Sequence, residues 1–199
     1  MTGTLETVID AILARRSTGP RHLGPPGPGP EDLRSLASAA TAAPDHGRLG
    51  PLHLTHIPDD KRNALADLFM ETARAADPNA SAVVIEAAGA RALSGPVLLA
   101  IVATIQDDHP DIPPHEQWIS VGAALQNVLL AAEELGFAAK MVSGRRVRSP
   151  VLRSAFNLAE NDHLVGFVML GTASAGAEPK PALRRSADQI LSHWSPLGT

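Results

Sequence analysis

Basic side chains gather at three places along the chain. Arg15 and Arg16 directly precede Ser17. Guanidinium groups beside a hydroxyl suit a phosphate, because they hold its oxygens through paired, charge-assisted hydrogen bonds. The other two groups are Lys140, Arg145, Arg146, Arg148 and Arg153, and Lys180, Arg184 and Arg185. Together the clusters predict a small phosphorylated ligand, with a solvated basic face as the alternative for any single cluster.

A second set of polar side chains lies in one loop ahead of a long apolar segment. Its members are Asp107, Asp108, His109, Asp111, His115 and Glu116. Imidazoles and carboxylates bind divalent metals, but prolines interrupt the set and no regular spacing emerges. His115 and Glu116 begin an HExxH pattern, yet Ile119 occupies its fifth position. We therefore expect a solvated acidic loop and no metal site, with a metal-dependent hydrolase as the weaker alternative.

Composition excludes several other chemistries. The 199 residues include no cysteine, which excludes disulfides, iron–sulfur clusters and a cysteine nucleophile. A formal net charge of -4 argues against nucleic acid as the main partner. GxGxxG, GxxxxGK[ST] and GxSxG motifs are absent. The longest apolar stretch, residues 97–105, is too short to cross a bilayer, so we expect a cytoplasmic protein with no membrane partner, folded as one domain over residues 1–199.

The elements that would position these residues alternate between helices and strands. Apolar residues at helical spacing and capping signals predict helices at 5–16, 30–43, 59–76, 118–135, 149–158 and 182–194. Alternating or continuous apolar runs predict strands at 52–57, 96–105, 137–142 and 163–170, the second of them central in the sheet. The proline- and glycine-rich segment 17–30 is expected to run extended over the surface. In the alanine-rich segment 77–95, the first part is expected to be helical.

The order of several short segments resembles a known family. They are Arg15-Arg16-Ser17, Ala43-Pro44-Asp45-His46, Glu116-Gln117, Gly136-Phe137, Ser143-Gly144, Ser149-Pro150-Val151, Val165-Gly166-Phe167 and Leu170-Gly171-Thr172. No single segment is specific, but their order and spacing are similar to those of the nitroreductase-like flavoproteins, and in particular to a compact bacterial branch of NAD(P)H nitroreductases. The resemblance extends from about residue 5 to residue 172.

The resemblance implies both a fold and an activity. The fold is an α+β, three-layer arrangement in which a central, mostly antiparallel sheet is flanked by helices, and two copies form a homodimer that binds FMN at the subunit interface. NADH or NADPH would reduce the FMN, and a nitroaromatic, quinone or similar small molecule would reoxidise it. No protein nucleophile is needed for such chemistry. A family member that binds flavin, or another phosphorylated ligand, without turnover is the alternative.

The same resemblance implies which residues contact the cofactor. Arg15, Arg16 and Ser17 match the motif that holds the FMN phosphate and the pyrimidine edge of the flavin. His46 matches a second contact, which would reach the cofactor of the other subunit. The strand-end residues Met141, Val142 and Ser143 match a segment lining the flavin. Arg184 is added because of its charge and position, with Arg48 and Arg185 as the other candidates. Several aromatic residues that are common around the flavin are replaced here, which predicts a site poor in aromatic stacking.

Overall fold

A five-stranded antiparallel sheet organises the chain in the computed structural model, which describes residues 7–177 and 184–195. Its strands are β1 (Leu23–Gly24), β2 (Leu52–His56), β3 (Val97–Thr104), β4 (Ala138–Val142) and β5 (Asp162–Ala173). β3 lies between β2 and β5, and β4 and β1 pair in succession with the other edge of β5. β3 is buried along almost its whole length, so its predicted central position is confirmed.

Helices cover both faces of this sheet. The helices of the described residues are α1 (Val8–Ala14), α2 (Pro30–Thr41), α3 (Asp59–Ala76), α4 (Ala82–Ala90), α5 (Pro114–Glu134) and α6 (Pro150–Ala155). Of these, α1 buries none of its residues. Side chains alternate along β3, so Leu99 and Ile101 pack with α2 and α5, whereas Leu98 and Ala100 pack with α3 and α6. α4 packs on α3. This is the three-layer α+β arrangement that the sequence predicted.

Two of the predicted helices are wrong in part. The first residues of the segment 77–95 form a turn, in which the backbone N–H of Asn79 donates to the Asp77 carboxylate over 2.9 Å. The helix α4 begins only at Ala82, after the N-cap Ser81. In the predicted C-terminal helix, residues 182 and 183 lie outside the described residues, and residues 184–194 contain only a 3₁₀ turn, Ala187–Gln189. Because residues 184–195 are all exposed, no packing stabilises a short helix there.

Three helices, α1, α4 and α5, leave large apolar side chains in contact with solvent. One face of α5 is buried, whereas Ile119 on another face is 66% exposed. Val8 and Ile9 of α1 are 75% and 67% exposed. Exposed apolar helix faces of this kind are available to a second protein surface. In the part of the chain that the structure describes, no helix combines the length and the apolar character needed to cross a membrane.

Candidate functional site

A cavity of about 660 Å³ lies beside the chain segment that follows α1. Its lining residues are Ser17, Thr18, Gly19, Pro20, Arg21, His22, Arg91, Ser94, Lys140 and Ala177. Arg21, Arg91 and Lys140 give it positive charge, and none of these lining residues is acidic. Its volume is in the range typical of ligand and cofactor sites. The cavity therefore suits an anionic ligand.

The segment after α1 reaches this cavity by passing around the β4 edge of the sheet. The backbone N–H of Thr18 donates to the carbonyl oxygen of Ala139 over 3.1 Å. Further along, β1 pairs with the end of β5, where Leu23 lies opposite Ala173. Lys140 of β4 extends from the strand into the cavity lining next to this segment. These backbone contacts fix the position of Ser17 relative to the sheet.

The opposite wall of the cavity is held in place by a buried arginine. Arg62 of α3 is only 6% exposed, and its guanidinium donates to the carbonyl oxygens of Ala92, Ser94 and Gly95 over 2.5, 2.9 and 3.1 Å. These carbonyls belong to the turn that carries Arg91. Burial lowers the pKa of Arg62, and the negative charge of Asp59 opposes this effect. The sequence analysis missed Arg62, although its spacing from the apolar residues of α3 places it on the buried face.

We expect the Arg62→Met variant to lower the free energy of unfolding by about 3 kcal/mol, because three carbonyl oxygens lose their donor in a buried environment. Urea denaturation followed by circular dichroism measures this change. Arg74 is exposed on the same helix, and its replacement by methionine should change stability by less than about 0.5 kcal/mol. Equal denaturation midpoints for the two variants would show that Arg62 does not hold the turn.

Two arginines that are distant in the sequence meet at the C-terminal end of α1. The guanidinium of Arg16 donates to the carbonyl oxygens of Ala14 and Arg15 over 2.9 and 3.0 Å. The guanidinium of Arg184 donates to those of Leu13 and Arg15 over 2.8 and 2.9 Å. Such carbonyls lack helical partners and carry partial negative charge. The structure thus brings Arg184 to the Arg15–Arg16–Ser17 motif.

Arg15 and Arg16 also border a hollow of about 280 Å³ on the α5 side of the sheet edge. Its lining includes Glu133, in the last turn of α5, and Phe137. The guanidinium of Arg15 lies 3.5 Å from the hydroxyl oxygen of Ser17. The motif therefore lies between this hollow and the 660 Å³ cavity, and Ser17 lines the second of them.

The residues at the end of β4 offer a ligand mainly their backbone. The side chain of Met141 packs in the core layer with α2 and α5, and that of Val142 packs in the layer with α3 and α6. The Ser143 hydroxyl donates to the carbonyl oxygen of Val165 over 2.7 Å. Gly144 follows with a φ of +126°, a conformation that side chains rarely adopt. The chain therefore turns sharply away from the sheet directly after the predicted site residues.

His46 is placed far from the arginine motif of the same chain. Its Nδ1 lies 2.7 Å from a carboxylate oxygen of Glu116, in the first turn of α5. Arg15 and Arg16, in contrast, lie near Glu133 in the last turn. Glu116 and Glu133 are 17 residues apart in the sequence, which corresponds to about 25 Å along an α-helix. One chain alone does not bring His46 together with Arg15, Arg16 and Ser17.

Comparisons with known proteins identify the family. The family model described as the nitroreductase family matches residues 12–172. The chain belongs to the nitroreductase family. It is 32% identical over 164 residues to an Escherichia coli (strain K12) protein named "Putative NAD(P)H nitroreductase YdjA", and the match covers 82% of this chain and 87% of that protein. A Haemophilus influenzae protein named "Putative NAD(P)H nitroreductase" is 32% identical over 170 residues, covering 85% and 90% of the two chains.

Solved structures support the same fold. A nitroreductase-like family protein from Bacillus cereus superposes with a TM-score of 0.80 at 22% identity and covers 98% of this chain and 100% of that one. A nitroreductase from Desulfovibrio desulfuricans, solved in complex with FMN, gives a TM-score of 0.70 at 22% identity and covers 97% and 100% of the two chains. The resemblance and the fold class inferred from the sequence are therefore confirmed.

In this member of the nitroreductase family, the polar loop before α5 has a structural role. The Nδ1 of His109 accepts the backbone N–H groups of Asp111 and Ile112 over 3.2 and 3.1 Å. The buried side-chain amide of Gln117 bonds to the backbone of Gln106 and Ile112 over 2.8 to 2.9 Å. The described residues hold no group of three or more side chains placed to bind a metal. The metal-dependent hydrolase has no ligand set among them.

Three of the aromatic rings of this nitroreductase-family chain pack together in the core. Phe69 and Phe156 both pack edge-on against Phe167, with ring centroids 5.3 and 6.1 Å apart. No phenylalanine or tryptophan is among the described lining residues of the 660 Å³ cavity. Phe137 lines the neighbouring hollow beside Arg15 and Arg16, and the expectation of a site poor in aromatic stacking stays a prediction.

Proposed function

We propose that this protein is an FMN-dependent oxidoreductase that takes reducing equivalents from NADH or NADPH and passes them to a small nitroaromatic, quinone or similar acceptor. Membership of the nitroreductase family supports the reaction class. The observation that carries the proposal is the positively charged cavity beside the Arg15–Arg16–Ser17 motif, which has no acidic side chain among its described lining residues. The proposal specifies the electron acceptor by its chemical class.

The residues present fit FMN, which combines a phosphate with a flat, partly apolar ring. Arg15, Arg16, Ser17 and Arg184 are proposed to hold the phosphate and the pyrimidine edge, because their charges and hydroxyl group suit anionic oxygens. The backbone from Met141 to Ser143 is proposed to line the ring. When bound, FMN would supply the electron-transfer chemistry. The chain's own tasks are then to position the cofactor and to leave room for two alternating substrates.

A homodimer is part of the proposal, because one chain does not complete the set of site residues. His46 lies about 25 Å along α5 from the arginine motif, so it can join that motif only from a second copy. The exposed apolar side chains of α1 and α5, such as Val8 and Ile119, offer surfaces that such a copy would cover. A single domain over residues 1–199 and a cytoplasmic location stay predictions.

The purified protein is expected to be yellow and to lose its visible absorbance when NADPH or NADH is added without oxygen. The cationic cavity should retain FMN through purification, since charge-assisted contacts to phosphate are strong. An absorbance spectrum before and after anaerobic addition of the nucleotide measures both properties. A colourless protein that cannot be reconstituted with FMN would exclude the proposed function.

A family member that binds flavin or another phosphorylated ligand without turnover is the second candidate. The absence of phenylalanine and tryptophan among the described lining residues favours it, because a flat acceptor finds little aromatic surface on which to stack. Steady-state reduction of a nitroarene or a quinone separates the two candidates. Many turnovers per protein molecule would exclude the second, whereas a bound flavin that no acceptor reoxidises faster than oxygen would favour it.

A further inference from the structure

Four arginines surround a second cavity, which does not contain the Arg15–Arg16–Ser17 motif. This cavity, which we call the arginine pocket, has a volume of about 280 Å³ and lies between α3, α4 and the start of α6. The arginines are Arg91, Arg145, Arg146 and Arg148. The remaining lining is formed largely by alanines, with the ring of Phe69, and includes no acidic residue among the described ones. Arg91 also lines the 660 Å³ cavity and so separates the two.

Arg146 is the central residue of the arginine pocket. Its guanidinium carbon lies 5.0 Å from the centre of the Phe69 ring, at the distance of a cation–π contact. Burial, together with the positive charge of Arg91, lowers the pKa of Arg146. A half-buried cation beside a second cation is unfavourable unless an anion balances the charge.

The hydrogen bonds of the buried Arg62 show what Arg146 lacks. Arg62 donates to three carbonyl oxygens. Within the described residues, the side chain of Arg146 has neither a carboxylate partner nor a hydrogen-bond acceptor. Every fully buried side-chain nitrogen among the described residues has a hydrogen-bond partner, so the unpaired nitrogens of Arg146 are not fully buried. The donors of Arg146 therefore remain accessible from the pocket, where an anion could accept from them.

We propose that the arginine pocket binds a small organic anion, in which a carboxylate or phosphate is attached to a compact apolar body. The guanidinium groups of Arg146 and Arg91 would hold the charged end, because both line the pocket and neither forms a salt bridge among the described residues. The alanine side chains of α3 and α4 and the edge of Phe69 would contact the apolar part. The volume of about 280 Å³ limits the ligand to roughly one ring.

Calorimetric titration of the purified protein with benzoate tests this assignment, with benzyl alcohol as a neutral compound of similar shape. Benzoate is expected to bind saturably, and benzyl alcohol about tenfold or more weakly, since it cannot form charge-assisted hydrogen bonds. Inorganic phosphate is expected to bind more weakly than benzoate, because it lacks the apolar body. Equal affinities for benzoate and benzyl alcohol, or tighter binding of phosphate than of benzoate, would overturn the proposal.

Two variants of residues that line the arginine pocket test whether benzoate binds there. Arg146→Gln removes the central charge and Ala88→Leu fills the apolar part of the pocket, so each is expected to weaken benzoate binding by about tenfold. Arg74→Gln removes an arginine that is exposed on α3 and outside the pocket, and it should leave the affinity unchanged. Unchanged benzoate binding in both pocket variants would contradict the assignment.

The visible flavin absorbance separates this proposal from the proposed function. Benzoate should bind without releasing FMN, because the two cavities share only the wall formed by Arg91. Release of FMN in proportion to bound benzoate would mean that the arginine pocket is part of the cofactor site, and the proposal would be wrong. Benzoate binding to a protein that cannot bind FMN would remove the proposed function and leave the arginine pocket as assigned.

Discussion

We expect the Arg16→Ala variant to bind FMN about a hundredfold less tightly than the unsubstituted protein. Arg16 stands at the centre of the Arg15–Arg16–Ser17 motif, and its guanidinium lies with that of Arg184 at the end of α1. A guanidinium that forms two hydrogen bonds to an anionic group contributes about 3 kcal/mol, which corresponds to about a hundredfold in affinity. Titration of the flavin-free protein with FMN, followed by quenching of flavin fluorescence, measures the loss.

The matched control for this variant is Arg34→Ala. Arg34 is an exposed arginine of α2 that pairs only with Glu31 one turn earlier, so its loss should leave FMN affinity unchanged. An Arg16→Ala variant that keeps the affinity of the unsubstituted protein would refute the role assigned to Arg16.

Riboflavin separates direct contact from support of α1. In this structure Arg16 donates to the carbonyl oxygens at the end of α1, so its removal also loosens the helix end. If Arg16 holds the phosphate, its removal weakens FMN binding but has much less effect on riboflavin, which carries no phosphate. Equal losses for FMN and riboflavin would show that Arg16 does not act through the phosphate.

The parts of the fold that the sequence predicted are those with a strong local signal. β3 was predicted from its continuous apolar run, because only a strand covered on both faces tolerates such a run. The start of α6 was predicted from Ser149 followed by Pro150, and the Ser149 hydroxyl does accept the backbone N–H of Val151 over 3.2 Å. These signals lie within a few neighbouring residues and depend little on the remainder of the chain.

The parts that the sequence did not predict depend on contacts between distant segments. Arg62 holds carbonyl groups about thirty residues further along the chain, and no local pattern identifies those partners. Arg91 lies in the alanine-rich segment 77–95, whose structure was ambiguous from sequence alone. Folding places it between the two cavities. The sequence shows which side chains could bind an anion, but only the tertiary structure shows which of them share a cavity.

The residues of the candidate site also divide into those predicted from neighbouring residues in the sequence and those that only the folded structure brings together. Arg15, Arg16 and Ser17 are neighbours in the sequence and were predicted from it; Ser17 lines the 660 Å³ cavity, and the two arginines line the hollow next to it. Arg184 was chosen for its charge and position alone, and two hydrogen bonds to the end of α1 bring it to the same place. His46 was expected to serve the other subunit. His46 and the arginine motif lie at opposite ends of α5, which is consistent with that expectation. Mixed dimers of two variants test it directly.

Two variants that each lose FMN should restore each other's binding when they share a dimer. We assume that every site takes Arg16 from one chain and His46 from the other. A mixed dimer, formed by one Arg16→Ala chain and one His46→Ala chain, then has both substitutions in one site. Its second site contains the unsubstituted Arg16 and His46. Random pairing of co-expressed chains makes about half of the dimers mixed, so about a quarter of all sites should hold FMN. Flavin absorbance per protein chain measures that fraction.

The control replaces the His46→Ala chain by a chain that carries both substitutions. No dimer then contains a site with an intact Arg16, and FMN occupancy should stay at the level of Arg16→Ala alone. Failure of Arg16→Ala and His46→Ala to restore each other, when each alone loses FMN, would place both residues in the site of a single chain and contradict the distance along α5. Full retention of FMN by His46→Ala alone would remove His46 from the site. Recovery in the mixed sample and not in the control requires a site shared between two copies, because only a second chain can bring His46 from one end of α5 to the arginine motif at the other.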